Sequence, residues 1–141
     1  MIDISEKEII KRSATAYGEI HLKPSTIESI RNGEIKKGDV IGISKVAGIS
    51  GAKITSTMLP LCHQIPLDDI EPIIDISGEV LSVKCTVKAH HKTGVEMEAL
   101  VCVSTALLNA WDMVKYLEKD ESGNYPTTRI TNLGVLEKRK G

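Results

Sequence analysis

Two groups of ionisable residues stand at the two ends of one long uncharged segment. Glu96 and Glu98 come before the run ALVCVSTALLNAW, and Asp112 follows it, three residues before Lys115. On a helix, Asp112 and Lys115 are neighbours on one face. A carboxylate beside an ammonium group is suited to proton transfer, with the lysine as the acid or the aspartate as the base.

Each of these residues also has a structural explanation. Thr93 followed by Glu96 matches a capping box, and Glu98 in the first turns would interact favourably with the helix dipole. Asp112 and Lys115 could form a surface ion pair of ~0.3–0.5 kcal/mol. The position of Asp112 directly after the apolar run favours chemistry, because partial desolvation would raise the pKa of its carboxyl, with Lys115 opposing that shift.

The distance between the two groups limits what one helix can contact. Glu98 and Asp112 are fourteen residues apart, nearly four whole turns, so they lie on almost the same helix face. At 1.5 Å per residue they are separated by about 21 Å along the axis. Either they contact different ends of an extended ligand, or they belong to sites that different subunits complete.

Cysteine and histidine residues give only a weak indication of a metal site. Cys62 and His63 are adjacent in the segment PLCH, and His90 and His91 are adjacent near the end of a predicted strand. Zinc sites need three or four ligands, and this pattern does not supply them together. We therefore predict no metal site.

Basic residues are scattered along the chain. Arg12, Lys37 and Lys53 would be solvated surface residues unless they converge on one cleft, where they would form a phosphate site. The sequence contains neither GxxxxGK[ST] nor GxGxxG, so side chains would have to hold the phosphate.

The composition is typical of a soluble protein of one domain. The 141 residues are 41% hydrophobic and 26% charged, with a net charge of -1, which gives no general attraction to nucleic acid or membranes. There is no Phe for stacking bases, and the uncharged run is too short to span a bilayer. Three cysteines without CxxC spacing and an N-terminus without a signal-peptide pattern predict a cytoplasmic location.

Periodicity and turn residues predict the order of elements along the chain. They are a strand at 11–22, helices at 24–33 and 36–58, an irregular segment at 60–67, a β-hairpin at 70–90, a helix at 93–118 and a strand within 127–136. This order predicts an α+β sandwich, with helices on one face of an antiparallel sheet.

Two of the helices have unusual composition. The helix at 36–58 would be capped by Asp39 and has an approximate apolar stripe, while three glycines would allow another backbone to approach closely. The stripe residues are Val40, Ile43, Val46, Ala47 and Ile54, and the glycines are Gly42, Gly48 and Gly51. The helix at 93–118 has no charge on any face of its central part, so we expect a second cover besides the sheet, which could be another subunit.

Two long segments, KKGDVIGISKVAGISGAKITSTMLPLCHQIPL and HKTGVEMEALVCVSTALLNAWDMVKYLEKD, closely resemble the molybdenum-cofactor biosynthesis protein C family, the cyclic pyranopterin monophosphate synthases. The resemblance extends over most of 2–133. It implies a ferredoxin-like fold and a homohexamer, a trimer of dimers with active sites between subunits. It also implies the reaction, in which 3′,8-cyclo-7,8-dihydro-GTP is converted to cyclic pyranopterin monophosphate and pyrophosphate without a redox cofactor.

The resemblance implies a role for each matching residue. Asp112 and Lys115 match the catalytic pair. The residues that match substrate contacts are Leu61, Cys62, His63, Met97 and Glu98, and those that match further polar lining are Glu96, Lys53, Lys37 and Arg12. Many members end in a segment SGGKSG whose lysine reaches the site, whereas this chain ends in NLGVLEKRKG, which leaves Lys138 and Lys140 as alternatives. A non-catalytic nucleotide- or pterin-binding protein and a structural oligomer are the rival interpretations.

Overall fold

Four strands form one antiparallel sheet in the order β2-β3-β1-β4, with helices on one face, in the computed structural model, which describes residues 1–141. The elements are β1 (Ile10–His21), α1 (Pro24–Arg31), α2 (Val40–Lys53), α3 (Thr55–Met58), β2 (Asp69–Ser77), β3 (Val80–His91), α4 (Glu96–Glu118) and β4 (Arg129–Lys140). This arrangement confirms the predicted ferredoxin-like α+β fold.

Strict alternation along β1 and β3 determines which face of the sheet is covered. Ala14 and Ala16 of β1, and Leu81 and Val83 of β3, are completely or almost completely buried, whereas the residues between them are only partly buried. Side chains two residues apart in a strand point to the same face. The core therefore lies between this face and α4, and the hairpin predicted to turn near Gly78 is confirmed.

Helix α2 packs through its small residues, so the predicted apolar stripe is wrong. Its buried positions are Val40, Ser44, Gly48, Gly51 and Ala52. Of the predicted stripe only Val40 is buried, whereas Val46 is 63% exposed. Small residues form this contact because they let the backbone of α2 come close to α4.

The glycines of α2 show how close this approach is. A Cβ atom added at Gly48 would lie 2.9 Å from the carbonyl oxygen of Cys102 in α4, and one added at Gly51 would collide with Thr105. The predicted role of these two glycines is confirmed. Gly42 has a different environment, because a Cβ there would meet only the carboxylate of Asp39.

Helix α4 is covered on two sides, as predicted, but both covers come from its own chain. It contacts β1, β3 and β4 on one side and α2 on the other, so α2 is a second cover besides the sheet. By length and composition α4 is also apolar enough to cross a membrane, as core helices of soluble proteins can be.

Several predicted boundaries and caps require correction. Helix α4 begins at Glu96, and its N-cap position is Val95 without any side-chain cap, so the capping box with Thr93 is wrong. Asp39 occupies the N-cap position of α2 but makes no capping hydrogen bond. The helix predicted to continue to residue 58 breaks at Ile54, whose ψ of 17° is not helical.

The C-terminal end of α4 is anchored by a buried carboxylate that sequence analysis did not identify. Glu118 is fully buried and accepts hydrogen bonds from the backbone N–H of Lys23 and from the hydroxyls of Thr26 and Thr128. A buried charge is tolerated where donors satisfy it in this way. Glu118 thereby joins the start of α1, the end of α4 and the segment entering β4.

The close α2–α4 contact generates a prediction for Gly48→Ala. Alanine is the better helix former by about 1 kcal/mol, but the added Cβ would meet a backbone carbonyl, and such overpacking costs ~1–3 kcal/mol. We expect a net loss of stability in urea unfolding at fixed protein concentration. The matched control, Gly42→Ala, meets only a rotatable side chain and should be neutral or stabilising. Equal effects of the two substitutions would contradict this packing.

Candidate active site

The end of α4 holds a carboxylate between two ammonium groups, which we call the Asp112 cluster: Lys37, Asp112 and Lys115. Lys37 Nζ lies 2.9 Å from Asp112 Oδ2, and Lys115 Nζ lies 3.0 Å from Asp112 Oδ1. The predicted pair of Asp112 and Lys115 is therefore in contact. Lys37 joins it from the loop before α2, where the neighbouring Lys36 N–H donates to Tyr116 Oη at 3.0 Å.

Asp112 is an ionised carboxylate on the surface, which corrects the expectation of a raised pKa. Hydrogen bonds from Lys37 and then Lys115 lower the pKa of its carboxyl. The side chain is 54% exposed, so the desolvation expected after the apolar run does not occur. In return, Asp112 raises the pKa of Lys115. The cluster therefore holds an ionised carboxylate beside a protonated Lys115.

The other end of α4 opens onto a cleft of about 320 Å³, which we call the His63 cleft. Its walls come from the N-terminal segment, the loop before β2 and the start of α4. The lining residues are Ile2, Ile4, Lys7, Leu61, Cys62, His63, Ile65, Thr93, Gly94, Glu96 and Met97. Five predicted site residues are thus brought together here, while Ile2, Ile4 and Lys7 were not identified from the sequence.

Lys138 of β4 reaches the His63 cleft through an ion pair. Its Nζ lies 2.6 Å from Glu96 Oε1. Burial raises the pKa of Glu96, but the hydrogen bond from Lys138 and the nearby charge of Arg12 outweigh it, so the pKa is lowered overall. The tail predicted to follow the last strand is part of β4, and this extension is what brings Lys138 rather than Lys140 to Glu96.

Glu98 lies deeper, beneath the cleft. It is only 3% exposed, and its Oε1 has no hydrogen-bond partner. Burial, helped by the charge of Glu96, raises the pKa of Glu98. Burial and the negative charge of Glu98 in turn raise the pKa of Cys62, so this cysteine is a thiol and is poorly suited to act as a nucleophile.

Arg12 is buried, and its guanidinium is hydrogen-bonded to backbone carbonyl oxygens. Its guanidinium donates to the carbonyl oxygens of His91 at 3.4 Å and Lys92 at 3.2 Å, in the turn that leads into α4. Arg12 is 5% exposed. In this structure it therefore positions the start of α4, and its charge is close enough to Glu96 to lower the pKa of that carboxyl.

Lys53 lies neither in the Asp112 cluster nor at the His63 cleft. It lines a separate cavity of about 470 Å³ together with Asp68 and Asp69, on the other side of the loop that contains Ile65. Ile65 lines both this cavity and the His63 cleft. Within one chain, the predicted site residues thus do not converge on one pocket, and the Asp112 cluster is about four helix turns from Glu98.

Fold and site together define an α+β protein with lysines, carboxylates and a histidine near the two ends of its longest helix. The sequence profile of the MoaC family matches residues 1–141, and the chain belongs to this family. Among its relatives, a protein of Thermoplasma acidophilum is 54% identical over 140 residues, covering 99% of this chain and 98% of the relative. A protein of Sulfolobus acidocaldarius is 56% identical with the same coverage. Both are named probable cyclic pyranopterin monophosphate synthase.

Burial of Glu98 generates a prediction for Glu98→Gln. A carboxyl whose pKa is raised on folding favours the folded state at low pH, where the group is neutral. The free energy of unfolding then decreases as the pH rises through the folded-state pKa, because the buried group becomes charged. The isosteric amide removes the buried charge, so we expect a higher melting temperature at pH 7 and a flatter dependence of stability on pH. If the substitution lowered the melting temperature at pH 7 by as much as at pH 4, relative to the wild type, the burial of a charged Glu98 would be contradicted.

Proposed function

We propose that this chain catalyses the reaction for which its relatives are named, the formation of cyclic pyranopterin monophosphate. The substrate is 3′,8-cyclo-7,8-dihydro-GTP and the second product is pyrophosphate. The observation that supports this most strongly is the Asp112 cluster, in a chain that belongs to the MoaC family along its whole length. The protein is thus a lyase in molybdenum-cofactor biosynthesis, with residues 1–141 acting as one domain.

The lysine residues at the two ends of α4 are suited to a substrate with a large negative charge. The triphosphate carries about four negative charges, and closing the cyclic phosphate adds charge to the departing pyrophosphate, which lysine side chains stabilise. Lys37 and Lys115 supply two cations at one end of α4, and Lys138 supplies a third at the other. Lys53, in its separate cavity, would join them only where another subunit brings it close.

Acid–base chemistry is assigned to the two ends of α4. Asp112 accepts a proton as the base and Lys115 donates one as the acid. Their ion pair keeps both groups charged, but it lowers the pKa of Asp112 and raises that of Lys115, so bound substrate has to loosen the pair before a proton moves. Glu98, whose burial favours the neutral acid, and His63 supply acid–base groups at the start of α4. Leu61, Cys62 and Met97 shape the cleft around the substrate, and Glu96 holds Lys138 in place. No redox cofactor is required.

A homohexamer, a trimer of dimers, would complete the site. The isolated chain exposes large apolar side chains on α2 and on the loop that borders the His63 cleft, including Val46 at 63% and Leu61 at 72%. Exposed apolar surface of this kind marks interfaces. Subunit pairing could bring the Asp112 cluster of one chain to the His63 cleft of another, which the rigid α4 prevents within one chain.

The same proposal places the protein in the cytoplasm, acting on a small molecule. Its net charge of -1 gives it no general affinity for nucleic acid or membranes. Its three cysteines are free thiols, as expected in a reducing compartment.

Single-turnover pyrophosphate release from the cyclised GTP substrate tests the catalytic assignment. Asp112→Asn and Lys115→Ala should each lower the rate about 100-fold or more, the size typical of a lost acid or base. Asp75→Asn on β2 and Lys119→Ala after α4 are matched controls, since both residues are exposed and have no ion-pair partner. Wild-type rates in the two cluster variants would refute the assignment, and no release from the wild type would favour a binding protein.

A further inference from the structure

The N-terminal segment, residues 2–7, forms a wall of the His63 cleft although it belongs to no helix or strand. Ile2, Ile4 and Lys7 all line the cleft. Lys92, in the turn before α4, donates from Nζ to the carbonyl oxygen of Ser5 at 3.3 Å. This contact fixes the middle of the segment to the turn that Arg12 also holds.

Inside the segment, local hydrogen bonds define its path. The N–H of Ser5 donates to Asp3 Oδ1 at 2.9 Å, and the N–H of Lys7 donates to the carbonyl oxygen of Ile4 at 3.0 Å. These two turns direct the chain around the mouth of the cleft. Lys7 is thereby placed beside the cleft before the chain enters β1.

The charge of Lys7 is free to bind a ligand. Glu6 and Glu8 flank it in sequence, yet no carboxylate lies within ion-pair distance of its Nζ, whereas Lys138 at the same cleft is paired with Glu96. An ammonium group without a partner, at the edge of a small cleft, is suited to a phosphate oxygen.

We propose that Lys7 is a substrate-binding residue that contacts the phosphate end of the substrate, with Ile2 and Ile4 forming the apolar wall beside it. This inference rests on the proposed function, because it takes the ligand to be a nucleoside triphosphate derivative. It adds to the site a segment that lies outside the sheet and the helices. Its role is binding and not proton transfer, because the acid–base steps are assigned to other residues of the site.

The test compares Lys7→Ala with Lys11→Ala. Lys11 is also an exposed lysine, four residues later, but it lines a different cavity with Lys88 and Arg139. Loss of one exposed charge-assisted contact should raise KM for the cyclised GTP substrate about five- to twentyfold, with kcat within about twofold. Lys7→Arg should restore most of the affinity, and Lys11→Ala should resemble the wild type.

Calorimetric titration with inorganic pyrophosphate provides a second readout that does not need turnover. Lys7→Ala should weaken pyrophosphate binding by a factor similar to that in KM. A KM equal to that of Lys11→Ala, or a raised KM with unchanged pyrophosphate affinity, would overturn the proposal. If the wild type binds pyrophosphate but releases none from the substrate, the proposed function fails, while the binding role of Lys7 is still decided by the titration.

Discussion

One helix fixes the distances on which the whole site depends. α4 spans 23 residues, and its start and its end carry different chemical groups. The start holds the buried Glu98 and the ion pair of Glu96, while the end holds the exposed Asp112 between two lysines. This helix is continuous and packs against the sheet and α2, so the two groups stay about four turns apart within one chain. A separation of this kind is a structural reason for sharing a site between subunits.

The contact between α2 and α4 has a second consequence for assembly. Because glycines and other small residues form the buried face of α2, its larger apolar residues, Ile43 and Val46, remain on the outer face. The close packing that supports the core therefore leaves apolar surface available for another subunit. In this way the same helix pair stabilises one chain and leaves the surface on which the proposed hexamer would assemble.

Much of the fold could be predicted from the sequence because it rests on local patterns. Alternation in β3 and the turn at Gly78 identified the hairpin, and Pro24 marked the start of α1. The resemblance to a family supplied the site residues, which spacing alone could not rank. Features that depend on distant parts of the chain could not be predicted in this way. The pairing of Lys138 with Glu96 depends on the register of β4 against β1, and the ionised state of Asp112 depends on Lys37 from a distant loop.

The central claim, that one active site combines the Asp112 cluster of one subunit with the His63 cleft of another, is tested most directly by mixing inactive subunits. Asp112→Asn and His63→Ala chains, each inactive alone, should regain pyrophosphate release when they are refolded together, because some sites receive two intact halves. Asp112→Asn mixed with Lys115→Ala should stay inactive, since every cluster is then defective. No recovery in the first mixture, or equal recovery in both, would contradict the account.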